Sequence, residues 1–466
     1  MVSLSGHTDR YRVAPQVFIW LVLGALANLP LASSEPQVAQ LAVGLVGVSQ
    51  ALGAYWRDGG RRISAPGMYM VASGLFIYFP AVYLYFDDPI IHGPAAFTTA
   101  VNLAFWSQLA MYYFVWEPRR DRTVEIIPIE RGAHTTWGLW SGVLLVAVGV
   151  VLVRTPLSSY GFDDGAAFAG ITLLAVSAFR RRGRIGIFSY LLVAASFGVY
   201  VGFVFTGFGR LQIGALGIAI AAAMAHRWRG RVIKIALLLA FPPVLSYLAA
   251  SRVAFSGALN PNQSASVTGL ESAIGPFVRF AELVKFESEG LIDHSWFHTF
   301  FAAAVALVPR QLWPTKPVGF GAELADFFRP DLIGRGHSEA ALFHGEWLYA
   351  FGLPGLVVMV IVVGLLVRWI DGAAQAASST TTASRFTVLV ISAMLILAAS
   401  ITDLVWGGAF TYVSRVGPRL ICLFALFLIL GWKLQSHASA DTSERCTEGP
   451  DVPDGGALIE ARGTAT

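Results

Sequence analysis

The sequence predicts an all-α, polytopic membrane protein with about twelve transmembrane helices and one large extracytoplasmic loop. Of its 466 residues, 55% are hydrophobic and only 13% are charged, whereas a soluble domain carries roughly a quarter charged residues. The mean hydropathy is correspondingly high, at +0.62. In addition, the apolar residues are gathered into runs close to the roughly 20 residues that a membrane-spanning helix requires.

Twelve apolar segments account for most of the chain, at approximately 15–32, 38–56, 66–86, 94–116, 136–153, 165–179, 185–205, 210–225, 232–250, 345–369, 386–404 and 417–434. They divide the chain into four regions. Transmembrane helices 1–9 occupy residues 1–250, and helices 10–12 occupy residues 345–434. Between them lies the large loop, residues 251–344, and residues 435–466 form a polar tail predicted to be disordered. We interpret the first segment as an uncleaved helix, although Leu31-Ala32-Ser33 resembles a weak signal-peptide cleavage site.

Basic residues mark alternate connections between these segments. They occur in four clusters, at residues 57–62, 119–122, 180–184 and 227–234, whereas the intervening connections are poor in Arg and Lys. Because cytoplasmic loops carry an excess of Arg and Lys, this alternation predicts that both termini are cytoplasmic and that the large loop is outside. The net charge of +4 therefore reflects topology and does not indicate a nucleic-acid-binding surface.

The large loop has parts of different character. Gly275–Lys285 has apolar residues at helical spacing, which predicts a short helix on the membrane surface. Phe297–Val308 is apolar but too short to span the bilayer, which favours a re-entrant or interfacial piece. Within the bilayer, the small residues Gly142, Gly149, Gly214 and Gly217 are expected to allow close helix packing.

Several kinds of chemistry lack a signature in the sequence. A GxxxxGK[ST] phosphate-binding loop is absent, which argues against ATP-driven transport by this chain. The two cysteines, Cys422 and Cys446, are expected to be free. His294 and His298 are four residues apart, but an isolated pair of this kind is more often structural than metal-binding. We therefore predict no metal and no cofactor.

Four basic residues are candidates for binding a diphosphate group. Arg310 and Lys316 flank Trp313 within a Pro-rich turn, and Arg210 and Arg252 lie where the eighth and ninth segments meet the predicted outer surface. Arginine offers a planar, bidentate donor group and lysine a point charge, and both suit phosphate oxygens. The alternative is contact with lipid headgroups at helix ends, which we favour for Arg252 considered alone. Arg415 and Arg419 are weaker candidates of the same kind.

His337 and Glu346 are the candidate catalytic residues. A histidine can transfer a proton at neutral pH, and His337 lies in a glycine-flanked loop beside Glu339. Glu346 precedes the tenth segment, where it could accept a proton or hold a sugar hydroxyl, or alternatively stabilise a helix dipole. Candidate sugar-contacting residues are Trp313, Arg335 and His344.

Two motifs in this part of the chain resemble the O-antigen and oligosaccharide repeat-unit polymerase family (Wzy-like). The first is VPRQLWPTKP, Val308–Pro317, and the second is HGEWLYAFGLPG, His344–Gly355. The family pattern is matched at Pro309, Arg310, Trp313, Pro314, Lys316, Pro317, Gly345, Glu346, Gly352 and Gly355. These motifs cover under a tenth of the chain, and only the hydropathy profile supports the resemblance elsewhere.

The resemblance implies an architecture similar to the GT-C glycosyltransferases and a reaction at the outer face of a bacterial cytoplasmic membrane. Repeat units linked to polyprenyl diphosphate would be polymerised into a surface polysaccharide of the cell envelope, without nucleotide or metal. The implied partners are the polyprenyl-diphosphate-linked glycan and membrane lipids, with a flippase and a chain-length regulator as candidate protein partners. A DxD-type motif is absent, in agreement with this expectation.

Two alternatives remain open from the sequence. O-antigen ligases have a His-Asn or His-Ser pair before a similar Glu and Gly-x-x-Gly, and His337-Ser338 is such a pair. The separation of Glu346 from Gly352 is longer than expected for a ligase, so we rank the polymerase higher. The other alternative is a transporter of lipid-linked oligosaccharides, motivated by the number of apolar segments and by intramembrane polar residues such as Asn28 and Asn102.

Overall fold

The computed structural model describes residues 10–32, 34–87, 94–116, 133–179, 187–205, 210–225, 230–240, 243, 271–328, 330, 338–379 and 384–445. Within these ranges every regular element is helical, as the composition predicts. One compact unit extends to Leu423, and a second begins at Phe424. The first unit contains all of the features described below.

Sixteen helices are numbered here in chain order over the described ranges. They are α1 (Arg10–Ala27), α2 (Leu29–Ala32), α3 (Pro36–Arg57), α4 (Ala65–Phe86), α5 (Pro94–Ala110), α6 (Ala133–Leu152), α7 (Phe162–Phe179), α8 (Ile187–Val204), α9 (Arg210–Ala225), α10 (230–240), α11 (Glu271–Ser288), α12 (His298–Ala304), α13 (Phe320–Phe328), α14 (Leu342–Ser379), α15 (Arg385–Ala399) and α16 (Ile401–Arg445). Short π-helical stretches interrupt α4, extend α5 and end α8. The last helix continues to Arg445, beyond position 435, where the sequence analysis begins the disordered tail.

Several of these helices are long and apolar enough to cross a membrane. Among the described residues, six helices meet that standard: α3, α4, α7, α8, α14 and the Ile401–Ile429 part of α16. Shorter apolar helices occur at Pro15–Leu31, Thr136–Leu152, Leu211–Ala225 and Arg385–Ala399. The structure is thus that of a helical membrane protein, whereas the count of twelve spans stays a prediction.

Small residues allow a close contact between α6 and α7. A methyl group on Gly142 or Gly149 would collide with the backbone of α7, so these glycines permit the close approach that the sequence predicts. Gly214 and Gly217 have no neighbouring atom within 4 Å of the place that a Cβ would occupy. The prediction of close packing is therefore wrong for these two residues.

An ion pair and a side-chain hydrogen bond connect segments that the charge alternation assigns to the same side of the membrane. Arg62, which follows α3, makes two hydrogen bonds of 2.8 and 2.5 Å to the Asp371 carboxylate near the end of α14. Tyr160, between α6 and α7, hydrogen-bonds Gln311 of the large loop. Both contacts agree with the predicted alternation of connections, because each joins residues assigned to one side.

The described part of the large loop is mostly folded against the bundle. Helix α11 packs on α5 and α14, and Phe277 stacks on Phe97 with ring centroids 5.9 Å apart. Phe280 and Leu283 on the same helix are fully buried. The predicted helix at Gly275–Lys285 therefore exists, and its apolar face packs on protein. Its position relative to the membrane surface stays a prediction.

Two helices are broken at a glycine. In α14 the break is at Gly352 (φ 65°, ψ −159°), and in α16 it is at Gly408 (φ 81°, ψ −171°). Only glycine adopts this backbone conformation without strain. Each break frees backbone amides and carbonyls that a continuous helix would use itself. At Gly352 the carbonyls of Tyr349 and Ala350 accept hydrogen bonds from the amides of Ser295 and Trp296.

Replacing Gly408 with alanine should destabilise the protein. The added methyl group would force a strained φ and would overlap the Glu346 carboxylate, at a cost of about 1–3 kcal/mol. The measurement is the apparent Tm of purified protein in detergent micelles, followed by tryptophan fluorescence. Gly217→Ala in α9 is the matched control, because open space surrounds it and alanine is the better helix former. An equal loss of stability in both variants would contradict the importance of the break.

Candidate functional site

Glu346 lies at the centre of the candidate site. It is in the first turns of α14 and is 0% exposed. Its Oε2 accepts a hydrogen bond of 2.6 Å from the backbone amide of Ala409, and the neighbouring amide of Phe410 also interacts with the carboxylate. Its Oε1 has no hydrogen-bond partner among the described residues. A buried carboxylate is costly unless it is hydrogen-bonded, so this contact fixes the position of Glu346.

The donor amides exist because α16 is broken. Ala409 directly follows Gly408, so it begins a new helical segment whose first amides have no partner within the helix. The positive end of this segment attracts a carboxylate. From the sequence, Glu346 is a catalytic candidate or, alternatively, a residue that stabilises the dipole of its own helix. The structure shows it capping a different helix, 63 positions further along the chain, and its catalytic role stays a prediction.

A buried ion network lies on both sides of the same break. Arg415, after the break, donates a 2.5 Å hydrogen bond to Asp403 Oδ1, before it. Arg419 is fully buried and donates to Ser400 Oγ at 2.9 Å and to Asp164 Oδ2 of α7 at 3.2 Å. Buried charges of opposite sign hold each other in place because separating them would leave a charge unpaired in a medium of low dielectric constant. The network therefore fixes the two parts of α16 relative to each other.

Arg310 and Lys316 occupy one turn but make different contacts. The Arg310 side chain is exposed, and its Nη1 donates to the carbonyls of Pro314 (3.4 Å) and Lys316 (3.3 Å). Its remaining guanidinium nitrogens have no partner among the described residues. Lys316 is 8% exposed, and its Nζ donates to the carbonyls of Ala306 and Val308 at 2.8 and 2.9 Å. Burial, together with the charge of Arg310, lowers the pKa of Lys316. Lys316 thus closes the turn, and Arg310 presents its charge outward.

An exposed aromatic patch adjoins this turn. Trp296, Phe297, Phe301 and Leu312 are each at least half exposed. Trp313 contacts Phe301, with ring centroids 6.1 Å apart, and its Nε1 donates to Thr315 Oγ1 at 3.1 Å. These residues form an apolar surface beside the exposed Arg310.

The aromatic patch is continuous with helix α14. Phe297 and Trp296 contact Phe351 of α14 at 5.0 and 6.3 Å. Leu353 and Val357, which follow on that helix, are also exposed. Because α14 is a candidate membrane span, the patch extends a surface suited to lipid.

A histidine–glutamate pair lies near Glu346. His298 Nδ1 is 2.5 Å from Glu323 Oε1. The His298 side chain is 52% exposed and that of Glu323 only 14%. Desolvation raises the pKa of Glu323, and the adjacent His298 opposes that shift. Glu323 also interacts electrostatically with Glu346 and Tyr349. Sequence reasoning missed this pair because the two residues are 25 positions apart and no local motif connects them.

Segments on both sides of the Pro-rich turn contact the second motif and the break in α16. Gly319, just after the Pro-rich turn, lies directly on the ring of Phe410, so closely that a Cβ would collide with it. Phe320 contacts Tyr349 of the second motif, with ring centroids 5.8 Å apart. Phe300 contacts Trp347 at 4.7 Å. The Arg310 turn, the His298–Glu323 pair and Glu346 consequently belong to one neighbourhood.

The other predicted site residues are placed differently or not described. His344 is fully buried between the rings of Phe280 and Phe343, and neither ring nitrogen has a partner among the described residues. Arg210 begins α9, and its side chain is not described. Arg252, Arg335 and His337, which are also predicted site residues, lie outside the described residues.

A separate cleft of about 510 Å³ lies near the other end of α14, between the α3–α4 connection and residues 365–376. Arg62, Arg368 and Asp371 are among its lining residues. It is roughly 30 Å along the helix from Glu346. This cleft is therefore not part of the Glu346 site.

Two replacements of Glu346 should distinguish the stabilisation that comes from its hydrogen bond from the effect of its negative charge. Glu346→Ala leaves buried amides of α16 without an acceptor, and we expect it to lower the free energy of unfolding by about 1–3 kcal/mol. Glu346→Gln keeps a carbonyl that can accept from Ala409, so its loss should be smaller. Thermal unfolding in detergent compares the two variants. An equal loss in both would show that the negative charge, and not the hydrogen bond, holds the break.

Comparisons with protein-family models, with curated proteins and with solved structures found no match for the chain. The proposals below consequently depend on the residues and contacts described above and on the resemblance of the two motifs.

Proposed function

We propose that the protein is a membrane glycosyltransferase that polymerises polyprenyl-diphosphate-linked oligosaccharide repeat units into a surface polysaccharide. The observation that carries this proposal is the exposed Arg310 guanidinium beside the aromatic patch. A lipid-linked diphosphate combines a long apolar chain with a charged group at the membrane surface. The patch suits the chain, and the unpaired donors of Arg310 suit the phosphate oxygens.

The proposed reaction transfers the growing glycan from its diphosphate carrier to a sugar hydroxyl of the next repeat unit. Arg310 stabilises the negative charge that develops on the leaving diphosphate. Lys316 holds the turn in shape through its two carbonyl contacts, and its charge adds to the local positive potential. Glu346 positions the break in α16, which Gly319, just after this turn, contacts through Phe410. A base must accept the hydroxyl proton, and His337 is the candidate that the sequence supplies.

The proposed location is a bacterial cytoplasmic membrane, with both termini in the cytoplasm and the Arg310 turn at the outer face. The alternation of basic connections supports this orientation. The contacts Arg62–Asp371 and Tyr160–Gln311 support it further, because each joins segments assigned to one side. The carrier lipid, membrane lipids, a flippase and a chain-length regulator are the proposed partners.

Transport of a lipid-linked oligosaccharide is the second candidate function. The observation in its favour is the buried network of Asp164, Asp403, Arg415 and Arg419 in two candidate spans. Charged residues within membrane segments often mark substrate or ion pathways, and broken helices often form transporter sites. Repeat units that accumulate on the cytoplasmic side of a deletion strain would favour transport over polymerisation.

A ligase would use similar groups but would leave a different product. The ligase reading depends on His337-Ser338, which lies outside the described residues. A strain that lacks a polymerase accumulates single repeat units on the carrier lipid. A strain that lacks a ligase accumulates a long chain that is not attached to its final acceptor. The glycan released from a deletion strain therefore separates the two activities.

Arg310→Ala should shorten the polysaccharide. Loss of a charge-assisted hydrogen bond costs about 1.5–3 kcal/mol, which corresponds to roughly a 10- to 100-fold slower transfer. Chain length is measured on gels of glycan from a deletion strain that expresses the variant. Arg310→Lys keeps the charge but not the bidentate geometry, so we expect an intermediate chain length.

Arg154→Ala is the matched control for this experiment. Arg154 is also exposed and lies in the α6–α7 connection, which the charge pattern assigns to the same side. It should leave the chain length unchanged, with both variants present in membranes at the wild-type level. Wild-type polymer in Arg310→Ala would reject the assignment of Arg310. Wild-type polymer in the deletion strain itself would reject the proposed function.

A further inference from the structure

We infer that His298, oriented by Glu323, is the base that accepts the proton of the acceptor hydroxyl. This inference rests on the proposed function, which it deepens by naming a proton acceptor among the described residues. The two side chains come from different elements, since His298 begins α12 and Glu323 lies in the first turn of α13.

The contact between the two residues fixes the state of the imidazole. An ionised carboxylate can only accept hydrogen bonds, so Glu323 Oε1 accepts and His298 Nδ1 carries the proton. The other ring nitrogen, Nε2, then has a free lone pair. Nε2 has no partner in the described part of the chain. A carboxylate that holds one ring nitrogen and leaves the other free is the arrangement by which a histidine acts as a general base.

Exposure differs between the two residues in the way that this role requires. The His298 side chain is 52% exposed, so a substrate hydroxyl can reach it, whereas Glu323 is 14% exposed and is shielded from water. Trp296 and Phe297, which immediately precede His298, belong to the aromatic patch. Phe301, one helical turn after His298, contacts Trp313 of the Arg310 turn. The base is thereby connected with the proposed carrier-binding surface.

The transfer step is balanced with these groups. The acceptor oxygen forms a bond to the anomeric carbon of the donor sugar while the bond from that carbon to the diphosphate oxygen breaks. The electron pair of the broken bond stays on the diphosphate, near Arg310. The acceptor proton moves to Nε2 of His298, which later releases it to water.

Other charged groups around Glu323 tune the pair. Asp326 and Glu346 interact with it repulsively, and Tyr349 lies close enough to be affected by its charge. Desolvation raises the pKa of Glu323 above the ordinary value of a glutamate, and the adjacent His298 opposes this shift by favouring the ionised carboxylate. Its contribution to stability is therefore full below the ordinary pKa of a glutamate and is lost as the pH rises through the raised value. At neutral pH, Glu323→Gln should be at least as stable as the wild type, which separates a role in catalysis from a role in folding.

The experiment measures polymer formation from a synthetic polyprenyl-diphosphate-linked oligosaccharide by the full-length protein in lipid nanodiscs, as a function of pH. For His298→Gln we expect a rate lower by roughly 10²- to 10⁴-fold and loss of the rise in rate with increasing pH. For Glu323→Gln we expect a smaller decrease, in kcat and not in KM, because the imidazole keeps an acceptor for Nδ1 but loses the carboxylate that orients it. His294→Gln is the matched control, since His294 lies on the same segment but is 3.7 Å from its nearest carboxylate, Glu287.

A second readout does not depend on turnover. Diethyl pyrocarbonate modifies neutral imidazoles, and mass spectrometry resolves the modified positions. We expect the half-exposed His298 to be modified and the buried His344 to remain unmodified. Protection of His298 in the intact protein would overturn its accessibility to a substrate hydroxyl.

The outcomes separate this inference from the function on which it depends. A wild-type rate in His298→Gln, together with an inactive His337→Gln, would overturn the inference and leave the polymerase function standing. An inactive wild-type protein, in nanodiscs and in the complemented deletion strain, would reject the proposed function and this inference with it.

Discussion

The hydrogen bond from the Ala409 amide to the Glu346 carboxylate is the contact on which the candidate site depends. It connects α14 with α16, and its carboxylate partner is fully buried. Within a membrane protein an unsatisfied backbone amide costs several kcal/mol, so the break in α16 requires an acceptor. Glu346 supplies it, and the break in turn gives the carboxylate its donors.

Because the break in α16 and the Glu346 carboxylate need each other, Ala409 must stay close to Glu346. The ion network lies where it can keep them together. A helix broken at Gly408 can bend at that point, which would move Ala409 away from Glu346. The pairing of Asp403 with Arg415 connects residues on the two sides of the break, and Arg419 ties the second part to Asp164 of α7. Arg415 and Arg419, which from the sequence are weaker candidates for binding a diphosphate, thus have a structural role. They keep the amide donors directed at the carboxylate.

The sequence predicts the class of this fold because hydropathy depends only on composition along the chain. It also identifies the two motifs near the candidate site, since Pro and Gly at Pro309–Pro317 and Gly345–Gly355 mark irregular backbone. It fails where long-range contacts decide the role of a residue. Lys316 has the charge of a phosphate ligand, yet the backbone carbonyls of Ala306 and Val308 occupy its Nζ. His298 has no sequence context that indicates a base, because Glu323 comes close only after α12 and α13 have packed.

Buried and exposed groups have different roles at the candidate site. Glu346 has a fixed partner and no exposure, so it holds the backbone, whereas His298 has a fixed partner and an open nitrogen, so it can exchange a proton. Arg310 likewise uses one nitrogen to stay in the turn and leaves the others available. Under the proposed function, the substrate stays partly in lipid and the reacting atoms meet at the membrane surface. Anchored inner groups with one exposed donor and one exposed acceptor suit such a reaction, because the helix bundle does not have to open.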